Sequence, residues 1–303
     1  MNMEQAPLMT IFGAGYLATF LARKAVKQGW RVQGLTRNPD RQENLLEAGF
    51  ERVFLGNLES KDWWGAFNEV PDCVVNTVSS AGGGLEGYRQ SYVEGNRSIL
   101  EWVSQQEEPA SFSKSSLIYT SSTGVYPDRD GSWVQEADVV TEPDGRAALL
   151  LEAESLVMEK GKSLFGKVYV LRLAGLYGPG RLFLARQLQE SGTIAGTGEY
   201  YLNLLRIEDA ASAILACAEG PTKKEPQVFN VSDGNPALKS EMVTWLGGQL
   251  GQSPPFFDPN KKSGFRSRGS KNRRVDPRAF REALGWSPEY PNYRKGFKEL
   301  ISA

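Results

Sequence analysis

Three hydroxyls in a row, Thr120, Ser121 and Ser122, are followed four residues later by a phenol, Tyr126. Hydroxyls can hold a ligand oxygen, and a phenol can pass it a proton if a neighbour adjusts its pKa. Upstream, Gly13, Gly15 and Ala18 stand in the spacing G-x-G-x-x-G/A. The first glycine permits a tight turn, the second lets the backbone approach a pyrophosphate, and the third position lets helix and strand pack closely. Gly13, Gly15, Tyr16 and Leu17 are therefore expected to line a dinucleotide, with its phosphates at a helix N-terminus. Thr36 and Arg37 follow about 20 residues further on, where an acid would bond the ribose hydroxyls of NAD. An arginine there can grip a 2′-phosphate, so Arg37, aided by Arg41, favours NADP over NAD, and Asp40 lies too deep in the loop to serve.

Composition removes other chemistries. The 303 residues include no histidine, which excludes a Ser-His-Asp triad and every histidine-ligated metal site. Two cysteines, Cys73 and Cys217, are too few for a structural zinc site, and no metal is expected. Both lie in apolar segments, which suggests reduced core thiols and a cytoplasmic or organelle-stromal location. A net charge of -1 gives no general reason to bind nucleic acid or a membrane surface. The N-terminus lacks a basic, apolar leader, and no apolar run is long enough to span a bilayer.

The elements that must position these residues alternate in type. "LMTIF", "WRVQGLT", "RVFLG", "DCVVNTV", "SLIYTSS" and "KVYVLRL" read as strands. Helical patterns lie between them, at Tyr16 to Gln28, around Leu45 and Leu46, around Trp63 and Trp64, from Tyr88 to Ser104, and after Thr141. This alternation predicts an α/β protein with a doubly wound parallel Rossmann sheet. After Gly175 the rhythm breaks, which implies a smaller, mixed C-terminal substrate lobe. The expected division is 1–175 plus about 203–233 for the nucleotide domain, and about 176–202 plus 234–303 for the lobe. "SPPFFDP" reads as a loop, and Met242 to Leu250 as a helix.

In such sheets ligands sit outside the carboxyl ends of the strands. Asn57 and Leu58, then Thr77, Val78 and Ser79, then Thr120 and Ser121, then Ala174 and Leu176 are expected to line the cofactor. Ser80, Tyr177, Arg273 and Arg274 are expected on the substrate side. The last two close a basic run, Lys261, Lys262, Arg266, Arg268, Lys271, Arg273 and Arg274, that suits an anionic small molecule. The run is short and poor in aromatics, which argues against nucleic acid.

GAGYLA, "YTSSTGVYP", "LRLAGLYGPGR", "NLLRIEDAASAIL", "FNVSDG" and "LGWSPEYPNYRKGF", in this order, resemble the extended short-chain dehydrogenase/reductases, the family of nucleotide-sugar epimerases and dehydratases. The resemblance covers nearly the whole chain and is nearest to an atypical, epimerase-like branch. It implies a serine or threonine, a tyrosine, and a lysine four residues after the tyrosine as the catalytic set. Ser122 falls on the first. With Glu154 matched to the glutamate that follows the lysine, Arg146 falls on the tyrosine and Leu150 on the lysine. The Tyr-x-x-x-Lys motif is missing.

Arginine is not a practical proton donor at neutral pH. The candidate catalytic residues are therefore Ser122, Tyr126 and Arg146, with Tyr177 as another phenol and water as a proton source. Arg146 could also hold an anionic substrate or an oxyanion. Two functions remain open. One is an NADP(H)-binding, epimerase/dehydratase-like oxidoreductase with a non-standard acid-base site. The other is a catalytically silent NADP(H)-binding redox sensor or scaffold. The resemblance also implies a monomer or a homodimer, the latter through helices near Tyr88–Ser104 and Arg146–Lys160.

Overall fold

The computed structural model describes residues 6–80, 83–221, 225–260 and 271–302. Lys261, Lys262, Arg266 and Arg268 of the basic run, and Ala81 and Gly82 of the glycine-rich loop, lie outside the described residues.

Seven strands form one parallel sheet. Across it they run Gln227–Val231, Lys167–Leu173, Ser116–Ser122, Cys73–Asn76, Leu8–Phe12, Arg31–Thr36 and Arg52–Leu55. The first strand in sequence, Leu8–Phe12, lies inside the sheet, paired in parallel with the second on one side and the fourth on the other. Strand order therefore reverses beside the first strand, which is the switch point where doubly wound sheets bind ligands. The central strands are buried on both faces, as parallel strands covered by helices must be.

Two compact units share the chain. The first comprises Met1–Val125, Thr141–Arg172 and Ala210–Phe229. Its core gathers Phe12, Trp63, Phe67, Trp102 and Phe112. Phe12 packs on Trp63 at 4.8 Å and on Phe67 at 5.5 Å between ring centroids, in tilted and edge-on geometries favourable for aromatic pairs. Cys73 and Cys217 are both free and fully buried.

The second unit comprises Tyr126–Val140, Leu173–Asp209 and Asn230–Ala303. Short strand pairs carry it: Gly175–Tyr177 with Leu204–Arg206, Thr193–Ala195 with Phe256–Asp258, and Trp133–Val134 with Arg274–Val275 are parallel. Tyr201–Leu202 with Ala237–Leu238 is antiparallel. Tyr177, Ile194, Met242, Leu246, Tyr293 and Phe297 fill its core.

Three readings of the sequence differ from the structure. The helix expected around Trp63 and Trp64 is one short turn, Trp64–Ala66. "SPPFFDP" contains a strand, because Phe256–Asp258 finds a partner in Thr193–Ala195. By contacts, Tyr126–Val140 groups with the second unit rather than with the strand it follows, since Trp133 and Val134 pair with Arg274 and Val275.

Candidate active site

The turn after the first strand is built around Gly13, which has φ 75°. A Cβ there would lie 2.6 Å from the Val78 backbone, so only glycine fits both the conformation and the space. The amides of Gly13 and Ala14 both donate to the Leu35 carbonyl, and the Thr77 hydroxyl donates to the carbonyls of Phe12 and Gly13. These bonds fix the turn between the second and fourth strands. Gly15 then opens the helix Tyr16–Lys27, which has no side-chain cap. A Cβ on Gly15 would meet only the Gly13 carbonyl, at 3.6 Å, so the backbone is open above it. An uncapped helix N-terminus beneath open backbone suits an anionic group. Ala18, fully buried, keeps helix and strand close.

At the end of the second strand Thr36 is buried and accepts from the Asn38 amide. Arg37 is exposed, with no acidic partner among the described residues. Asn57 is exposed, whereas Leu58 packs into the aromatic core and gives its carbonyl to Trp63. Leu58 thus faces away from solvent, because the chain turns inward after the third strand.

Asn76 shapes the end of the fourth strand. Its amide donates to Asn96 at 2.8 Å, and its side-chain oxygen accepts from the Val78 amide at 3.0 Å. Val78 and Ser80 are half-buried and Ser79 is exposed. On the fifth strand the three hydroxyls have different fates. Thr120 donates to the Asn76 carbonyl. Ser121 points inward and donates to Glu154, which is itself paired with Arg172 at 2.7 Å, with both side chains buried. Ser122 is half-buried and its oxygen accepts from the Gly124 amide at 3.0 Å, leaving its own proton to donate.

The helix Gly145–Leu164 packs beside this strand end. Asp144 caps it, accepting from the amides of Arg146 and Ala147 at 3.1 and 2.9 Å. Leu150, Ala153, Glu154 and Val157 form its buried face. Leu150 lies against the Ser122 turn: a Cβ on Gly124 would sit 3.1 Å from Ser122 Oγ and 4.0 Å from Leu150 Cδ1. The position that the resemblance gives to lysine is therefore apolar and beside the serine. Arg146 stacks over the Tyr88 ring at 4.8 Å, and its Nε is buried without a hydrogen-bond partner.

Tyr88 begins a feature that the sequence reading passed over. The long helix is continuous from Gly84 to Ser104, but Arg89–Glu94 is π-helical. Tyr92 lies in this segment, half-buried, and its hydroxyl oxygen accepts from the Ser80 amide at 3.3 Å. Burial raises the Tyr92 phenol above its ordinary range, and the Ser80 amide and the charge of Arg146 offset only part of that rise. Two tyrosines one helical turn apart were visible in the sequence, but their aim depends on the π segment, which helical periodicity does not reveal.

The remaining candidates belong to the second unit. Tyr126 is fully buried and donates to Asn230 at 2.8 Å, so its phenol is held in the interior. Tyr177 is buried against Phe297 and the Gly296 backbone, and burial pushes its phenol far up. Ala174 is buried and bonds the Val231 carbonyl through its amide, while Leu176 is half-buried. Arg273 is half-buried, with a partnerless Nε. Arg274 is held by the Gly131 carbonyl at 2.6 Å and lies over the rings of Trp133 and Tyr201. Asn203 bridges the Arg273 carbonyl and the Val275 amide. Asp209 accepts from the amides of Glu289 and Tyr290, fixing the C-terminal turn. No group of three or more His, Cys, Asp or Glu suited to a metal occurs among the described residues.

A parallel sheet that reverses at its first strand, with an open glycine turn and an uncapped helix at the reversal, defines a dinucleotide-binding α/β protein of the NAD(P)-binding class. Residues 9–232 match the NAD dependent epimerase/dehydratase family, and the chain belongs to that family. It is 28% identical over 295 residues to Protein YeeZ of Escherichia coli K12, an alignment covering 94% of this chain and 96% of that one. A functionally unknown conserved protein from Silicibacter pomeroyi DSS is 26% identical, with a TM-score of 0.75 over 98% of both chains. A UDP-N-acetylglucosamine 4-epimerase from Methanobrevibacter ruminantium shares the fold at 16% identity, with a TM-score of 0.80 over 99% of this chain and 98% of that one. No helix among the described residues is long and apolar enough to cross a membrane.

Proposed function

We propose that this chain binds NADP(H) in its first unit and acts on a small molecule as an epimerase/dehydratase-like oxidoreductase whose acid-base chemistry does not use a Tyr-x-x-x-Lys pair. One observation carries the reading: open backbone at Gly15 over an uncapped helix, with an unpaired arginine at the end of the neighbouring strand. The amides of the Gly13–Leu17 turn would hold the pyrophosphate, and Arg37 the 2′-phosphate. Thr36, Asn57, Val78 and Ser79 stand at the strand ends around them, and Thr77 holds the turn itself.

When bound, the nicotinamide supplies hydride exchange. The protein's part is to hold and polarise the substrate. Ser122, whose oxygen already accepts from Gly124, can donate to a substrate oxygen. Leu150 beside it can neither bond a ribose nor lower a phenol's pKa, so the acid-base group must come from elsewhere. The retained hydroxyl favours an enzyme over a silent binder.

Fluorescence titration with NADPH and NADH tests the cofactor, with tighter NADPH binding expected. Equal or tighter NADH binding refutes the role given to Arg37. Turnover of the NADPH-loaded protein against panels of carbonyl compounds and sugar nucleotides tests the reaction. Full silence with binding intact returns the sensor reading.

A further inference from the structure

We propose that Tyr92, presented by the π-helical segment Arg89–Glu94 beside Arg146, is the proton-transfer group of this site. The inference rests on the oxidoreductase reading and names the acid-base group that the reading leaves open.

Placement comes first. Tyr92 Oη accepts from the amide of Ser80, four residues past the end of the fourth strand. That strand pairs with the first, whose turn packs Gly13 against Val78. The phenol therefore lies at the carboxyl ends of the strands that border the reversal of sheet order, where doubly wound folds bind their ligands. Four other phenols are placed differently. Tyr119 is fully buried, and Tyr169 bonds the Pro221 carbonyl. Tyr126 is fully buried on Asn230, and Tyr177 is packed into the core of the second unit.

Local structure comes next. A π segment adds a residue to the helical turn and re-aims the side chains it carries, and such segments recur at functional sites. Here the Tyr92 carbonyl accepts from the Asn96 side chain at 2.8 Å, and Asn96 is tied through Asn76 to the end of the fourth strand. The backbone of Tyr92 is thereby fixed to the strand end it serves. Tyr88 packs on Tyr92 at 5.1 Å and carries the Arg146 guanidinium on its other contact.

Among the described residues, the charged and titratable groups facing the phenol are few. Arg146 stands on the neighbouring helix, Tyr88 on its own helix, Ser80 on the loop, and Tyr119 behind it on the fifth strand. Arg146 provides the one positive charge among them, so it occupies the family's tyrosine position while serving a phenol on another helix. In the reducing direction the Tyr92 Oη–H bond would break as an O–H bond forms on the former carbonyl oxygen of the substrate, and a bound reduced nicotinamide would supply the hydride that the carbonyl carbon needs. The phenolate left behind keeps the Ser80 N–H bond and faces Arg146, and water returns its proton. Oxidation of an alcohol runs the same steps backwards.

The test needs no known substrate. An oxidised nicotinamide is cationic and a reduced one is neutral, so a phenol within reach of the ring ionises more readily beside NADP+. The chain has 11 tyrosines, and subtracting the near-ultraviolet tyrosinate titration of Tyr92→Phe from that of the native protein isolates one. The expected result is a Tyr92 titration lower by at least about one pH unit with saturating NADP+ than with NADPH. It should move up in Arg146→Gln and return in Arg146→Lys. If Tyr92→Phe fails to fold, the two Arg146 variants carry the test on the total titration. A Tyr92 that titrates alike with both nucleotides, or is indifferent to Arg146→Gln, overturns the proposal. Failure of the native protein to bind either nucleotide overturns the cofactor reading itself, and this proposal with it.

Discussion

Two helices of the first unit begin differently. The Tyr16–Lys27 helix starts on Gly15, with no side-chain cap. The Gly145–Leu164 helix starts on Asp144, whose carboxylate accepts from two amides of that turn. An uncapped start invites an outside anion, and a capped start satisfies itself. The first therefore keeps the design of a phosphate site. The second is finished internally, and its contribution to chemistry lies in what it presents sideways, Arg146 toward Tyr88 and Leu150 toward Ser122. The glycine turn and the uncapped helix stand in a chain that lacks a Tyr-x-x-x-Lys motif in Thr141 to Ser155.

Substitutions can press on this contrast. The largest effect is expected where the second helix is anchored by its buried face, at the ion pair of its Glu154 with Arg172 on the strand Lys167–Leu173. Arg172→Met would strand the buried Glu154 carboxylate and should cost about 3–5 kcal/mol in denaturant unfolding. A loss under about 1 kcal/mol would mean that Glu154 finds solvent or another donor.

Gly15→Asp gives the first helix a cap like that of the second. The backbone at Gly15 has φ −130°, and a Cβ there meets only one carbonyl, so folding should be kept. A carboxylate in the anion site should weaken NADPH binding at least about 100-fold, or about 2.7 kcal/mol, with unchanged or improved stability. Retained affinity would break the comparison.

Arg37→Ala removes a charge-assisted contact to the 2′-phosphate and should weaken NADPH about 10-fold, leaving NADH nearly unchanged, as read by the two fluorescence titrations. The smallest effect is expected from Asp144→Ala. Removing the cap should cost about 1 kcal/mol of stability while NADPH affinity stays constant. A fall in affinity would show that the two helix starts are not independent.

Much of the fold was legible because it is written in short-range pattern. The strands "LMTIF", "WRVQGLT", "DCVVNTV", "SLIYTSS" and "KVYVLRL" are short runs set off by helical patterns, and the structure places their ends within a residue or two. The glycine turn was legible because its geometry is local. Less was legible where partners are distant in sequence. Phe256–Asp258 is a strand only because Thr193–Ala195 lies beside it. The fates of Thr120, Ser121 and Ser122 could not be read from their order, since each depends on a different neighbour.

The chain by itself determined that histidine and histidine-bound metals take no part. It also determined that a glycine turn opens a βαβ unit, and that the stretch Thr141 to Ser155 contains neither tyrosine nor lysine. These follow from residue identity and spacing, which folding does not alter. Tertiary structure alone decided that Tyr126 is sealed on Asn230, that Ser121 turns to a buried ion pair, and that a π segment brings Tyr92 to Ser80 and the charge of Arg146. The physical reason is that a side chain's chemistry depends on its hydrogen-bond partners and its exposure to water, and both are set by residues remote in the sequence.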